Sequence, residues 1–374
     1  MPEQPSSPRG LLRRAADWGA AVLGGGTASA DAAAASGAGA PRWRVPADEV
    51  PHERTWMSWP ASRSIWGRRL PGVQADIALI ARTVAAFEPV VMCAIDERAA
   101  ADARAHCGPG VTVTSEIPTD DLWMRDTCPV FRSDGAGALD ALGLGFDGWG
   151  RKQTHRNDAR VAEYVAEYED LPFGRADFVG EGGAIETDGD GTVMATESSL
   201  VAKNRNRGLS KAQIEAAVLR AYGADTMLWV PGIKGRDITD DHIDVTSRFI
   251  RPGVVMVQVP PGDRTDVWAE DARRQLAILS TATDARGRRL RVTTVEGPDA
   301  PRSHARDFVD SYLNFHVVNG AVITAQFGDR PKDEAARATL AAAFPGRTVV
   351  QLDVDRLMNG GGGIHCSTMQ QPAR

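Results

Sequence analysis

Four consecutive glycines, Gly360–Gly363, stand directly before Ile364, His365 and Cys366. Glycine loses more backbone freedom on ordering than any other residue, so such a run makes sense where backbone passes very close to something. The thiol that follows is the best nucleophile candidate. Cys93 sits in the apolar run Val90–Ile95 and Cys107 near a helix end, where cysteine serves as a small buried hydrophobe. In His242-Ile243-Asp244-Val245-Thr246 polar and apolar residues alternate. On a strand, His242, Asp244 and Thr246 share one face, which makes either an acid/base pair or an ordinary half-exposed surface. Glu181 precedes Gly182-Gly183 as a turn residue or as a closely approached buried carboxylate. In Asp120–Thr127, Trp123 beside Asp126 is a good platform for a flat cation, whereas Asp120 and Asp121 read as solvated or capping residues. Asp188-Gly189-Asp190-Gly191 reads as a hairpin turn, because a calcium loop would need further ligands that do not follow.

Together these residues suit a guanidinium. Carboxylates bind its planar N–H fork, and a thiolate attacks its carbon, which resonance makes a poor electrophile unless charge is compensated. A histidine would protonate the departing amine and then activate water.

Such a constellation needs a rigid frame. Apolar, β-branched runs at Val90–Ile95, Val111–Val113, Val193–Ala195, Met227–Val230, Val254–Val259, Leu290–Val295, Ala321–Ala325 and Thr348–Leu352 predict strands. Helical periodicity appears at Val73–Phe87, Asp158–Glu169, Lys211–Tyr222, Asp266–Leu279 and Asp333–Phe344. This is α/β alternation with extra strands, and no Pro/Gly/Ser linker divides 41–374, so one catalytic domain is expected there. Of 374 residues, 43% are apolar and 25% charged, which excludes a disordered or fibrous chain. A net charge of −6 argues against nucleic acid as a partner. Zinc-type Cys/His spacing is absent, as are phosphate loops, and no apolar run is long enough for a membrane helix. Residues 1–40 are rich in Ala, Gly and Ser, and Arg13-Arg14, Trp18–Gly26 and Ala28-Ser29-Ala30 read as a Tat-type export leader. The alternatives are a low-complexity tail and a cytoplasmic protein.

The segments Glu53–Pro60, Trp123–Thr127, Glu181–Gly183, Gly235–Thr239, His242–Asp244 and Gly361–Cys366 resemble, in this order, the agmatine deiminases, a family that includes bacterial peptidylarginine deiminases. The resemblance runs from about Val45 to Pro372. It implies an α/β fold, a five-bladed propeller of ββαβ units around a central site. It implies Cys366 as the nucleophile of an amidino-thioether intermediate, His242 as general acid/base and Glu181 as the carboxylate orienting it. Asp126 and Asp244 would hold the guanidinium, Trp123 would line the channel, and Gly362 and Gly363 would border the substrate. It implies no metal or organic cofactor and a small cationic guanidino substrate; a homo-oligomer is compatible with it. The reaction implied is hydrolysis of agmatine to N-carbamoylputrescine and ammonia. The alternatives are deimination of free or peptidyl arginine, amidino transfer to an amine, and a catalytically dead guanidine-binding protein. Departures from the family pattern are Cys128, expected as a second thiol near the site, and Arg151-Lys152 and Arg207, expected to reach solvent unless Arg151 anchors a substrate carboxylate.

Overall fold

Sixteen strands arranged in five separate sheets make up the frame of the computed structural model, which describes residues 42–374. The leader expected over 1–40 and its boundary with the catalytic domain lie outside the described residues. In chain order the strands are β1 (His52–Ser58), β2 (Val90–Cys93), β3 (Val111–Thr114), β4 (Val130–Ser133), β5 (Leu139–Gly143), β6 (Phe173–Arg175), β7 (Ile185–Thr187), β8 (Thr192–Thr196) and β9 (Thr226–Val230). They continue as β10 (Ser247–Arg251), β11 (Val254–Val259), β12 (Arg291–Glu296), β13 (His316–Val318), β14 (Ala321–Ala325), β15 (Thr348–Leu352) and β16 (Thr368–Pro372).

Four sheets repeat one plan: an antiparallel hairpin, then a crossover to a parallel third strand, as in β4-β5-β6, β7-β8-β9, β10-β11-β12 and β13-β14-β15. The fifth is split between the chain's ends. β16 pairs antiparallel with β1, β1 runs parallel to β2, and β3 adds an outer strand. The C-terminal strand therefore begins the blade that the N-terminal strand continues, and the fold is the five-bladed α/β propeller. Among the described residues, no helix is long and apolar enough to cross a membrane.

The predicted strands and helices fall where periodicity puts them, because each crossover helix must bury one stripe. Helix Leu70–Val84 buries Val73, Ile77, Ile80, Ala81 and Val84, spaced three and four apart, in one cluster with Val90 and Met92 of β2. Helix Lys211–Tyr222 begins at a capping box of Ser210 with Gln213 and ends at left-handed Gly223. Asp188–Gly191 is the predicted turn: Gly189 and Gly191 have φ of 69° and 106°, and Asp188 Oδ1 accepts from the N–H groups of Asp190 and Thr192.

Candidate active site

The segment entering the first strand of each blade carries the candidate site residues. Asp126 stands ahead of β4, Glu181 ahead of β7, His242 and Asp244 ahead of β10, Asn314 ahead of β13, and Cys366 ahead of β16. Short tight turns deliver them: helical Met124–Thr127, 3₁₀ Gly182–Ala184 and 3₁₀ Ile243–Val245. The last corrects the expected strand over His242–Thr246. The N–H and hydroxyl of Thr246 both donate to Ile243 O, closing a turn before β10 begins. His242 and Asp244 converge through that turn rather than through a shared strand face.

His242 is 2% exposed and lies among carboxylates, with Nδ1 3.7 Å from Asp126 Oδ1 and Nε2 3.4 Å from Glu181 Oε2. Nε2 makes no hydrogen bond, so the contact is one of charge. Burial works against the imidazolium, but Asp126, Glu181 and Asp244 outweigh it and raise His242 to about 9. Glu181, wholly buried, accepts from Arg205 Nε at 2.7 and 3.1 Å. Burial alone would raise its pKa, but Arg205 and His242 hold it below the usual range. Arg205 also donates to Asp240, which Lys152 binds at 2.7 Å. Lys152 is thus tied to the scaffold rather than simply solvated, while Arg151 and Arg207 are exposed as expected.

Asp126 accepts from Trp149 Nε1 at 2.8 Å and from the Gly183 N–H at 3.0 Å, and burial raises it to about 6. Asp244 Oδ2 faces His365 Nδ1 at 2.8 Å and accepts from Cys366 Sγ at 3.6 Å. Its Oδ1 is buried with no partner, an arrangement a cation would relieve. Burial would raise Asp244, but His365 and His242 hold it low. Asn314 Nδ2 donates to Cys366 Sγ at 3.1 Å, and its Oδ1 accepts from the Cys366 N–H at 3.3 Å. Burial and the two aspartates push the Cys366 thiol well above its ordinary value.

A cavity of about 670 Å³ reaches His242, Asp244 and Cys366 and passes Gly360 and Gly361. Gly362 and Gly363, expected to border the substrate, instead make room for protein. A Cβ at Gly362 would stand 2.5 Å from the Trp123 ring, and one at Gly363 2.6 Å from Asn314 Oδ1. Trp123, expected to line the channel, packs behind Gly362 against Trp66, ring centroids 6.0 Å apart, and is 7% exposed. Cys128, expected near the site, lies in an apolar cluster with Cys93 and Trp56, and burial raises its thiol far up. Asp121, expected as a solvated or capping residue, is buried and accepts from Trp66 Nε1 and Gln153 Nε2. Sequence reasoning missed Asn314, His365, Arg205 and Trp149. The signal for Asn314 is an amide flanked by Leu313 and Phe315 just ahead of an apolar strand, the place other blades give to Asp126 and Asp244.

Gly183 faces the centre. A Cβ there would meet His242 Nδ1 at 2.8 Å, Asp126 Oδ1 at 2.9 Å and Asp244 Oδ2 at 3.1 Å. Its backbone is not left-handed, so alanine is excluded only by the site itself. Gly183→Ala is expected to lower turnover at this site about a hundredfold, since displacing reacting groups by an ångström costs that much, and to lower stability by about 1–3 kcal/mol, the usual cost of overpacking a buried site. An active variant would place the guanidinium elsewhere.

The sequence profile of the Porphyromonas-type peptidyl-arginine deiminases matches residues 44–372. The chain belongs to that family. Agmatine deiminases from Pseudomonas aeruginosa and Stutzerimonas stutzeri are 36% and 37% identical to it, each over 88% of this chain and 96% and 95% of theirs. The solved agmatine deiminase of Enterococcus faecalis superposes with a TM-score of 0.83 at 29% identity, covering 89% of this chain and 96% of that one. Membership in the family explains why blade-entry segments so distant in sequence converge: the propeller brings its blades' inner turns to one axis.

Proposed function

We propose that this chain hydrolyses agmatine to N-carbamoylputrescine and ammonia through a covalent intermediate on Cys366. The observation that carries this reading is the unpartnered, buried Asp244 Oδ1 beside the Cys366 thiol, with Asp126 and His242 close by. Glu181 is offset by Arg205 and Asp126 by His242, so the Asp244 carboxylate is the charge left for a cation. A guanidinium held by Asp126 and Asp244 cancels the negative field that keeps the thiol protonated, and the thiol proton leaves to water as the thiolate forms. Sγ then bonds to the guanidinium carbon, and the tetrahedral adduct collapses as His242, already an imidazolium at neutral pH, protonates the departing ammonia. Neutral His242 next takes a proton from water. Hydroxide adds to the amidino-thioether carbon, and the C–S bond breaks as the proton of the added hydroxyl passes to the departing sulfur, which releases the ureido product and restores the thiol.

Arg151 does not line the cavity at Cys366; it borders a separate surface hollow with Lys152 and His155. That disfavours Arg151 as a carboxylate anchor. One observation favours a second reading, deimination of free or peptidyl arginine: Arg236 and Arg306 line the cavity and, among the described residues, form no ion pair. A substrate panel decides. Agmatine is expected to release ammonia without any added amine, which excludes amidino transfer, and faster than arginine or arginyl peptides. A preference for C-terminal arginine would replace the agmatine reading.

A further inference from the structure

Beside Asp244 lies a largely buried hydrogen-bonded chain that the mechanism above does not use. His365 Nδ1 meets Asp244 Oδ2 at 2.8 Å, and Nε2, on the other side of the ring, meets Asp48 Oδ2 at 3.3 Å. Asp48 is itself fixed: Arg248 Nη2 donates to its Oδ2 at 2.6 Å and Gln370 Nε2 to its Oδ1 at 2.6 Å. Arg125 Nε donates to the His365 carbonyl at 3.3 Å, and the His365 N–H donates to Asn314 O at 3.1 Å. Asp48, Glu186 and His365 have the spacing of a metal cluster, but the buried Arg248 guanidinium already pairs both carboxylates and supplies the positive charge. Asp48, Arg125 and His365 border a second, small cavity that none of Cys366, His242 and Asp244 lines. His365 therefore stands behind Asp244, away from the substrate.

We propose that His365 is a positioning residue for guanidinium binding: together with Asn314 Nδ2 at 3.4 Å and Cys366 Sγ at 3.6 Å it fixes Asp244 Oδ2, so that Oδ1 is left without a protein partner and free for the cation, and Asp48 anchors the far side of its ring. The proposal rests on the reading that this site takes a guanidinium. A carboxylate bound at one oxygen by a fixed donor cannot rotate to satisfy its other oxygen within the protein, so the unpartnered Oδ1 is kept for the ligand.

Two amides separate the halves of this role. The Asn amide reaches about the position of the imidazole Nδ1 and the Gln amide about that of Nε2. With the full chain, His365→Asn is expected to keep agmatine kcat/KM within about tenfold of wild type, and His365→Gln to lower it on the order of a hundredfold, mostly through KM. In the Cys366→Ala background, calorimetry with guanidinium chloride should show the same order of affinities. Equal loss, or no loss, in both amide variants would overturn the proposal, as would guanidinium affinity that does not follow the order. Should wild type bind guanidinium but not turn over agmatine, the substrate reading fails, and the guanidinium affinities still decide the role of His365.

Discussion

Cys366→Ala is expected to abolish ammonia release, a loss of about a millionfold, while the protein keeps its thermal midpoint and still binds agmatine. The residue is 9% exposed and fits a site already built around a small side chain, so alanine leaves little cavity. Chemically nothing replaces it. Cys93, Cys107 and Cys128 are buried, and Cys93 and Cys128 lie in an apolar cluster from which Cys366 is absent. Asn314 Nδ2 donates to the sulfur and Asn314 Oδ1 accepts from the Cys366 N–H, but a neutral amide is too weak a nucleophile to attack the carbon in its place. Mass spectrometry of wild type mixed with agmatine and acid-quenched should find an amidino adduct on the peptide containing Cys366. Near wild-type turnover in the alanine variant would end the covalent mechanism.

Asp244→Asn and Asp126→Asn should each lower turnover on the order of a hundredfold or more, because each removes a charge-assisted contact to the cation in a site shielded from water. The same substitutions should act oppositely on the empty enzyme. Burial and then Asp244 and Asp126 raise the Cys366 thiol, so deleting either charge lowers its pKa. Below the pKa, the thiolate fraction grows about tenfold for each unit of fall. Iodoacetamide labelling of Cys366 at neutral pH should therefore be faster in both variants than in wild type. Turnover and labelling moving in opposite directions separates loss of substrate binding from general damage, which would slow both or expose every thiol. Asp190→Asn is the control: Asp190 pairs with Arg286 and Arg288 at the surface and should change neither.

The elements were legible in the sequence because each is set by local pattern. Ala321–Ala325 and Thr348–Leu352 are strands with the predicted bounds, and Lys211–Tyr222 is a helix with its cap residues in place. The candidate site residues could be singled out as well, since a cysteine after four glycines and a Glu before two have few purely structural explanations, but that they lie together is visible only in the fold. Some things depended on packing between distant segments. Period two read His242–Thr246 as a strand, but a short alternating run fits a 3₁₀ turn equally well, and the need to present two side chains to one axis decided for the turn. Gly362 and Gly363 are costly for the reason the sequence suggested, close approach, yet only the fold shows that the neighbours are Trp123 and Asn314. Cys128 is two residues from Asp126, but the backbone turns between them and sends the thiol into the core. Asp48 and His365 are 317 residues apart and meet only because β16 closes the ring against β1. Local periodicity determines which segments become strands, helices and turns, because it acts through neighbouring backbone and side chains. Which carboxylate faces the thiol and which stands behind it is set by contacts across blades, and no pattern along the chain encodes those.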